Sequence, residues 1–285
     1  MQVGRWQVST LLDGTFGLDG GSMFGIVPRA LWSGRHPPDD RNRITMALRC
    51  LLLTDGQRRI LVDAGIGDRL DDHQRDIYRY ERADGGLCAS LAAFDLEPGD
   101  MTDVVLTHLH FDHAGGLLKA DGQGGLEPVF PAACVHVQEE AWSWARGHSV
   151  WDQGSFFPAD FDVWEEKLDL HLLQGDAEIG EGVRVQVTEG HTPGHQLVLI
   201  GQGRGSLCFC ADLIPTATHV RLPYIMAFDH LPLRTLEEKR VLLAQAVEEG
   251  WILVFGHDPF TVACKLCVHD DRVVTGESVV LNTEA

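Results

Sequence analysis

The feature that most constrains this chain is a run of four metal-ligand side chains within six residues: His108, His110, Asp112 and His113. Neutral imidazole and carboxylate are ligands that borderline divalent cations accept, and a set without thiolate fits zinc, manganese, iron or cobalt. Gathering these polar groups without a cation costs free energy. The Ala-Gly-Gly that follows at 114–116 permits close backbone approach. The run therefore predicts a metal-binding loop.

Composition narrows the class of protein. The chain has 285 residues, 44% of them hydrophobic, which is enough for a large core and allows one domain or two. We expect a single domain spanning residues 1–285. The net charge of -19 arises from 42 acidic against 23 basic residues. Because phosphate backbones and anionic membranes are also negative, we expect neither a nucleic acid nor a membrane partner.

The cysteines and the distribution of apolar residues indicate the cellular compartment in which the protein is expected. No basic stretch leads into a long apolar run, and no window reaches the length that spans a bilayer. Seven cysteines at irregular spacing favour free thiols in a reducing compartment, so the sequence predicts a cytoplasmic protein. Cys264 and Cys267 have the spacing of half a zinc site. The strand-like alternation of 261–268 instead predicts that they face opposite sides and serve packing.

Hydrophobic periodicity predicts strands separated by loops and helices. The early strands suit a hairpin-rich sheet, and the later ones alternate with loops and helices. Helices are predicted at 114–118 and from Thr235, which begins a capping-box spacing, to Glu249, where Gly250 supplies the stop. The predicted strands are 6–12, 46–54, 59–62, 104–107, 183–187, 196–200, 207–210 and 251–255.

Three further candidate ligands follow strand ends: His191, Asp212 and His257. Loops that leave strand ends can converge on one site. Two metal ions need more ligands than the first run of four provides. The sequence therefore points to a set of seven ligands.

These segments resemble the signature of the metallo-β-lactamase superfamily. They are Thr-His-Leu-His-Phe-Asp-His-Ala-Gly-Gly at 107–116, Gly-His-Thr-Pro-Gly-His at 190–195, Ala-Asp at 211–212 and Gly-His at 256–257. The resemblance covers most of the chain. It implies an α/β fold of the αββα sandwich type, with two mixed sheets packed face to face, helices outside and a dinuclear site at one edge.

The same resemblance implies a partition of the ligands between two divalent metal ions per chain. Zinc is the expected metal, with manganese, iron or cobalt as alternatives. Asp212 would bridge the two ions. The first ion would take His108, His110 and His191, and the second would take Asp112, His113 and His257.

Several neighbouring residues are expected to support this centre. Asp63, within Leu-Val-Asp-Ala-Gly at 61–65, resembles the superfamily's early strand-end aspartate, which orients the metal loop. His195, Thr107 and Thr192 are expected to brace the loops by hydrogen bonding. The remaining histidines are expected at the surface, among them His136, His148, His171 and His269.

Two close divalent ions lower the pKa of a bridging water from about 15.7 to roughly neutral. The sequence therefore predicts a hydrolase that uses a metal-bridging hydroxide. Asp112 is placed to orient this hydroxide and to carry a proton to the leaving group. A non-catalytic metal-binding or sensor protein is the alternative from another class, and the presence of Asp112 argues against it.

The segments 19–28, 212–217 and 222–226 resemble the branch of the superfamily that contains quorum-quenching lactonases and methyl parathion hydrolases. The resemblance implies a small-molecule substrate with an apolar portion: acyl-homoserine lactones or related carboxylic esters. An organophosphate triesterase or aryl esterase is the alternative. The apolar residues expected at the pocket mouth, or alternatively in ordinary loop packing, are Met23, Phe24, Trp32, Trp151, Phe156, Phe157, Tyr224 and Met226.

One position departs from the lactonase pattern. Acyl-homoserine lactonases place a tyrosine three residues after the bridging aspartate, where this chain has Pro215. Tyr224 and His219 are candidates to donate a hydrogen bond to the substrate oxygen in its stead. The aromatic loops serve a dimer interface as readily as a pocket, so the sequence leaves monomer and homodimer open.

Overall fold

A computed structural model of the protein describes residues 1–147 and 149–281. The helices are α1 (Gly20–Phe24), α2 (Arg29–Trp32), α3 (Asp72–Tyr78), α4 (Gly86–Ala92), α5 (Phe111–Ala114), α6 (Glu139–Arg146), α7 (Asp160–Lys167) and α8 (Pro232–Glu249). The strands are β1 (Gln2–Val3), β2 (Trp6–Asp19), β3 (Arg43–Thr54), β4 (Arg59–Val62), β5 (Glu81–Arg82), β6 (Asp103–Val105), β7 (Leu118–Ala120), β8 (Leu126–Pro128), β9 (Cys134–Gln138), β10 (Asp169–Leu173), β11 (Ala177–Gly180), β12 (Val183–Thr188), β13 (His195–Ile200), β14 (Leu207–Phe209), β15 (Ile252–Val254), β16 (Ala263–His269) and β17 (Arg272–Val279).

Two mixed sheets organise these strands. The first has the order β1-β2-β3-β4-β6-β9-β10, with β5 paired to β2, and the second runs from β11 to β17 in chain order. In the first sheet β4, β6, β9 and β10 are parallel neighbours, while β2 and β3 are antiparallel. In the second, β14 and β15 are the parallel pair. Strands β7 and β8 form a separate hairpin.

The core lies in three layers set by the alternation of each strand. One set of side chains fills the space between the sheets, for example Val62 and Val105 from the first and Val198 and Phe209 from the second. The outer face of the first sheet packs against α4, α6 and α7. Helix α8 covers the second sheet. Burial of each such side chain contributes about 1.5–3 kcal/mol. The predicted αββα sandwich is confirmed.

Two helix boundaries differ from the sequence prediction. Helix α8 begins at Pro232 rather than Thr235, because proline suits the first helical position and needs no hydrogen bond there. It ends, as predicted, at Gly250, which has a φ of 63°. The helix predicted at 114–118 instead occupies Phe111–Ala114. It stops there since the N–H of Gly116 donates to Gly65 at 3.0 Å rather than continuing the helix.

The surface assignment of His136 is wrong. This residue lies in β9, is buried, and holds Asp103 through its Nε2. His171 and His269 are exposed as expected, and His148 lies outside the described residues. In β16, Cys264 is buried and Cys267 is exposed, which agrees with their expected opposite faces.

Within residues 1–147 and 149–281, none of the helices combines the length and the apolar character that a membrane crossing requires.

Candidate metal centre

The metal loop leaves the end of β6 and is held by Asp63, which follows the neighbouring parallel strand β4. One carboxylate oxygen of Asp63 accepts the backbone N–H of Thr107 at 2.8 Å. The other accepts the Thr107 hydroxyl at 2.9 Å and lies 2.8 Å from Nδ1 of His113. Asp63 therefore fixes the start of the loop and one of its imidazole rings together, which is the orienting role expected of it.

Close backbone packing then fixes the far side of the loop. The N–H of Ala64 donates to the carbonyl of His113 at 2.7 Å. A Cβ atom at Gly116 would lie only 2.0 Å from the carbonyl oxygen of Ala64. The glycine is required by this contact rather than by its φ.

The seven candidate ligands converge on one buried cluster. On one side, Nδ1 of His110 lies 3.0 Å from Nε2 of His108 and 3.2 Å from Nε2 of His191. On the other side, the Nε2 atoms of His113 and His257 are 3.0 Å apart. The first group is supplied by the metal loop and by the loop before β13, and His257 follows β15.

Two carboxylates complete the cluster. Asp112 Oδ2 lies 3.6 Å from Nε2 of His113 and 3.5 Å from Nε2 of His257. Asp212 lies between the two groups, with Oδ1 3.1 Å from His257 Nε2 and Oδ2 3.4 Å from His191 Nε2. The geometry thus brings together the same two groups, with Asp212 between them, that the sequence resemblance implied.

The tautomers test whether these residues fit metal ions. Nδ1 of His257 faces the carbonyl of Ala47 at 2.8 Å, and a carbonyl only accepts, so this nitrogen carries the proton. Nδ1 of His113 faces the Asp63 carboxylate in the same way. In the neutral rings, both Nε2 lone pairs therefore face one another at 3.0 Å. That arrangement is repulsive unless a proton or a metal ion lies between the two nitrogens, and the donor set fits a divalent metal.

The pKa shifts of His113 and Asp212 also agree with a bound cation. Burial opposes the charged form of His113, but the carboxylates of Asp112, Asp212 and Asp63 outweigh it and raise its pKa well above the usual value. Burial alone would raise the pKa of Asp212, yet His257 and His113 hold it well below its usual range. The part of the cluster around His113, His257 and Asp212 therefore favours positive charge. Burial and the neighbouring histidines instead lower the pKa of His108 and His110.

Other residues brace the ligands from behind. Nε2 of His195 accepts the backbone N–H of Asp212 at 3.2 Å, and its Nδ1 lies 2.6 Å from the Thr188 hydroxyl. The N–H of His195 donates to the carbonyl of Thr192 at 3.1 Å. Sequence reasoning missed Asp229, whose Oδ1 lies 2.8 Å from Nδ1 of His191. No motif marks Asp229, since it lies in an irregular loop before α8.

A cavity of about 230 Å³ opens over the cluster, and five candidate ligands line it: His110, Asp112, His191, Asp212 and His257. Of the apolar residues expected at the mouth, Met23, Trp151 and Met226 line the cavity. The sequence reasoning missed the other lining residues, which are Phe16, Leu18, Tyr78, Phe111, Asp152, Ser155, Ala227 and Phe228.

Comparison with known families decides the classification. The family model described as the metallo-beta-lactamase superfamily matches residues 49–257, a stretch that contains all seven candidate ligands. The chain belongs to this superfamily. Its relatives within the superfamily are metal-dependent hydrolases, and this protein is one as well.

Three known proteins show what the chain is similar to. An N-acyl homoserine lactonase of Bacillus cereus is 24% identical over 230 residues, covering 76% of this chain and 83% of the relative. The crystal structure of a probable metal-dependent hydrolase from Staphylococcus aureus has a TM-score of 0.86 and 27% identity, and covers 98% of this chain and 100% of that one. AidC, a dizinc quorum-quenching lactonase in complex with a product, has a TM-score of 0.80 and 21% identity, covering 99% and 97%.

Several residues predicted to bind substrate lie behind the cavity wall of this superfamily member. Phe24 is buried and stacks on Trp32 with ring centroids 5.1 Å apart. Phe156 packs on the His110 ring at 5.2 Å, and Phe157 packs against Phe111 at 5.8 Å. These four side chains, Phe24, Trp32, Phe156 and Phe157, support the wall and do not line it.

The two candidate donors, Tyr224 and His219, also lie outside the cavity lining. The Tyr224 hydroxyl accepts from Arg221 at 3.2 Å. Nε2 of His219 donates to the carbonyl of Met23 at 2.8 Å, and its Nδ1 lies 2.7 Å from the Thr216 hydroxyl. Burial lowers the pKa of His219 to about 3, so the ring is neutral with both nitrogens engaged. This placement makes His219 a support for Met23.

Proposed function

We propose that this hydrolase opens lactones of the acyl-homoserine type, or cleaves related carboxylic esters, at a dinuclear centre. The observation that carries the proposal is the cavity that joins the ligand cluster to apolar side chains, including Met23, Met226 and Phe16. Such a cavity suits a polar scissile bond joined to an apolar acyl group. The likeness to the N-acyl homoserine lactonase of Bacillus cereus supports the same substrate class.

The proposed metal ligands are the seven residues that the sequence indicated, with zinc the expected metal. The imidazole and carboxylate donors fit that choice. The likeness to a dizinc lactonase fold is consistent with it. When bound, two divalent ions supply hydroxide at neutral pH and polarise the carbonyl under attack.

Asp112 is the proposed proton carrier. Its carboxylate lines the cavity, and its side chain is 10% exposed, whereas that of His113 is 3% exposed. Asp112 can therefore accept the proton of the attacking water and deliver it to the ring oxygen that leaves the acyl carbon. The products are one alcohol and one carboxylic acid, which ionises to a carboxylate and releases its proton to water. In a lactone both groups remain in the same molecule.

Tyr78 is the proposed hydrogen-bond donor to the substrate oxygen. It would take the role of the lactonase tyrosine that Pro215 replaces in this chain. Tyr78 ends α3 and lines the same cavity as Asp112. Burial, followed by the Asp112 carboxylate, raises the pKa of its hydroxyl above the usual value. The hydroxyl thus keeps its proton at neutral pH and is available as a hydrogen-bond donor.

The test is a kinetic panel on metal-loaded protein with acyl-homoserine lactones, aryl esters and phosphotriesters. We expect the highest kcat/KM with a lactone or carboxylic ester, and loss of about 10²-fold or more in D112A. D40A provides the matched control, because Asp40 is exposed and lies outside the cavity lining. Highest kcat/KM with phosphotriesters would favour the triesterase alternative, and no turnover of any ester would favour a binding or sensor role.

A further inference from the structure

A second cluster of ligand-type side chains lies in β9 and β10. Cys134 and His136 are two residues apart in β9 and share one face of the strand. The parallel register pairs His171 of β10 directly with His136. One ligand atom from each of these three residues lies within 4.8 Å of the other two. None of the three is among the seven candidate ligands or the cavity lining.

The place of this cluster in the sheet separates it from the metal loop. Cys134 is level with Asp103, at the start of β6. The metal loop leaves the opposite end of that strand, after Val105. His136 is level with Val105, the last residue of β6, but its Nε2 contacts Asp103 at the start of that strand. The cluster therefore lies alongside β6 and shares no residue with the metal loop.

His136 is arranged as a metal-ligating histidine is. Its Nε2 lies 2.9 Å from Oδ1 of Asp103. Two nitrogens of Arg58 also donate to the Asp103 carboxylate, at 2.6 and 3.1 Å. Burial opposes ionisation of Asp103, but the hydrogen bonds from His136, Arg58 and Thr102 outweigh it and hold its pKa far below the usual range. The carboxylate is thus an acceptor, and Nε2 of His136 carries the proton.

In the neutral ring, Nδ1 of His136 has a lone pair but no hydrogen-bond donor near it. Nδ1 is buried and has no hydrogen-bond partner, and the residue as a whole is 6% exposed. An unmet buried acceptor costs free energy. A carboxylate that orients a histidine, whose second nitrogen is free for a cation, is the arrangement around protein-bound metals. The buried Nδ1 of His136, which lacks a hydrogen-bond partner, therefore indicates a position where a cation binds.

Cys134 and His171 supply the remaining donors. Cys134 is half-buried, and the His171 ring, exposed to solvent, has its centroid 5.2 Å from that of His136. Burial, with the nearby Asp169 and Asp103 carboxylates, raises the pKa of the Cys134 thiol to about 11. Binding of a cation to sulfur then releases the thiol proton to water, so uptake is accompanied by proton release.

We propose that Cys134, His136 and His171 form a further divalent-metal site, separate from the hydrolytic centre, with zinc the preferred ion. One thiolate and two imidazoles are ligands that zinc favours. Asp169, level with Cys134 in the register, is the proposed carboxylate for the fourth position. The site joins the edge strand β10 to β9.

Cobalt substitution tests the proposal, because a cobalt–thiolate bond gives a charge-transfer absorption that imidazole and carboxylate ligands do not. Full-length protein is stripped of metal and titrated with Co²⁺. We expect a thiolate absorption band whose final amplitude corresponds to one of the three bound Co²⁺ ions per chain. The C134S variant should lose the band and bind one equivalent less, while its hydrolase activity is unchanged.

H171N, at an exposed position that tolerates substitution, should weaken the same uptake by about 10-fold or more. C267S and H269N replace an exposed cysteine and an exposed histidine elsewhere and should leave the band intact. Absence of a thiolate band at saturating Co²⁺ in the wild-type protein would overturn the proposal. A band that persists in C134S, or that C267S removes, would overturn it as well.

Discussion

Each metal-centre histidine with a defined outer partner directs its remaining nitrogen at the cluster. The partners differ in kind: Asp63 holds His113, Asp229 holds His191, and the carbonyl of Ala47 holds His257. The candidate ligands were indicated by their own side chains and spacing, and the structure brings them together. Asp229 and Ala47 could not, because a lone aspartate or a backbone carbonyl carries no sequence pattern.

Removal of Asp229 tests this dependence on the outer partner. D229A should weaken metal affinity by about 10–100-fold, because His191 loses the acceptor that fixes its tautomer. Competition with a chromophoric chelator measures the change. The exposed Asp40 serves as control, and D40A should bind metal as the wild-type protein does. An unchanged affinity in D229A would show that His191 is oriented without it.

The hydroxyl of Tyr78 is the second residue-scale test. Y78F should reduce kcat/KM by about 10-fold or more while metal content stays constant, because only a donor to the substrate is lost. Y224F is the matched control, since the Tyr224 hydroxyl contacts Arg221 outside the cavity lining. A larger loss of kcat/KM in Y224F than in Y78F would indicate that Tyr224, the donor suggested by the sequence, contacts the substrate oxygen.

At the scale of elements, strands were easier to predict than the loops that shape the cavity. Periodicity located β4, β6, β12 and β13 to within a few residues, because burial on one or both faces sets their pattern. The cavity draws on α1, on the end of α3 and on the loop around Met226. These segments are far apart in the chain and meet only in the folded protein. The sequence alone therefore could not distinguish residues that line the cavity from residues that pack behind its wall.

Gly116 tests the packing of the metal loop. G116A should destabilise the protein by about 1–3 kcal/mol and weaken metal binding, because the new methyl group meets the Ala64 carbonyl. Urea unfolding and metal competition measure the two effects. G99A is the control, as nothing lies within 4 Å of a Cβ there. Equal stability of the two variants would contradict the proposed contact.

Lys239 of α8 holds the loop that carries Tyr224. Its fully buried ammonium donates to the carbonyls of Arg221 at 3.1 Å and Tyr224 at 2.6 Å. Burial, opposed by the charge of Asp229, lowers its pKa to about 7. The unfolded chain, with a lysine pKa of about 10.4, then binds more protons between these values. The free energy of unfolding therefore rises with pH across this window.

The K239M variant should lack this pH dependence. The stability difference between wild type and K239M should grow between pH 7.5 and 9.5, by up to about 2 kcal/mol. Equilibrium urea unfolding at both pH values measures it. K265M is the control, because Lys265 is about half exposed and pairs with Glu277 at the surface. The same difference at both pH values would mean that Lys239 stays charged in the folded protein.

At the scale of the whole molecule, the candidate metal centre joins the two sheets. The metal loop follows β6 of the first sheet, whereas Asp212 and His257 follow β14 and β15 of the second. The superfamily fold could be predicted from the ligand motifs because they mark these strand ends. The cluster in β9 and β10 escaped prediction, since His136 and His171 come together only through the strand register.

Metal removal should therefore loosen the sandwich. At metal concentrations near 1,000 times Kd, one bound ion adds about 4 kcal/mol to the stability. A chelator should lower Tm by on the order of 10 °C, and added zinc should restore it. Scanning calorimetry measures both. D212A, which lacks the carboxylate between the two groups, should show a smaller shift. A Tm insensitive to chelation in the wild-type protein would contradict this account.

The two sheets follow one another along the chain. Strands β1 to β10 end at Leu173 and strands β11 to β17 begin at Ala177, and within residues 1–147 and 149–281 no strand is shared between the two large sheets. A cut in the 174–176 turn would give two fragments that each contain a whole sheet but only part of the ligand set. Because neither fragment would hold all seven candidate ligands, hydrolase activity would require that the two fragments associate.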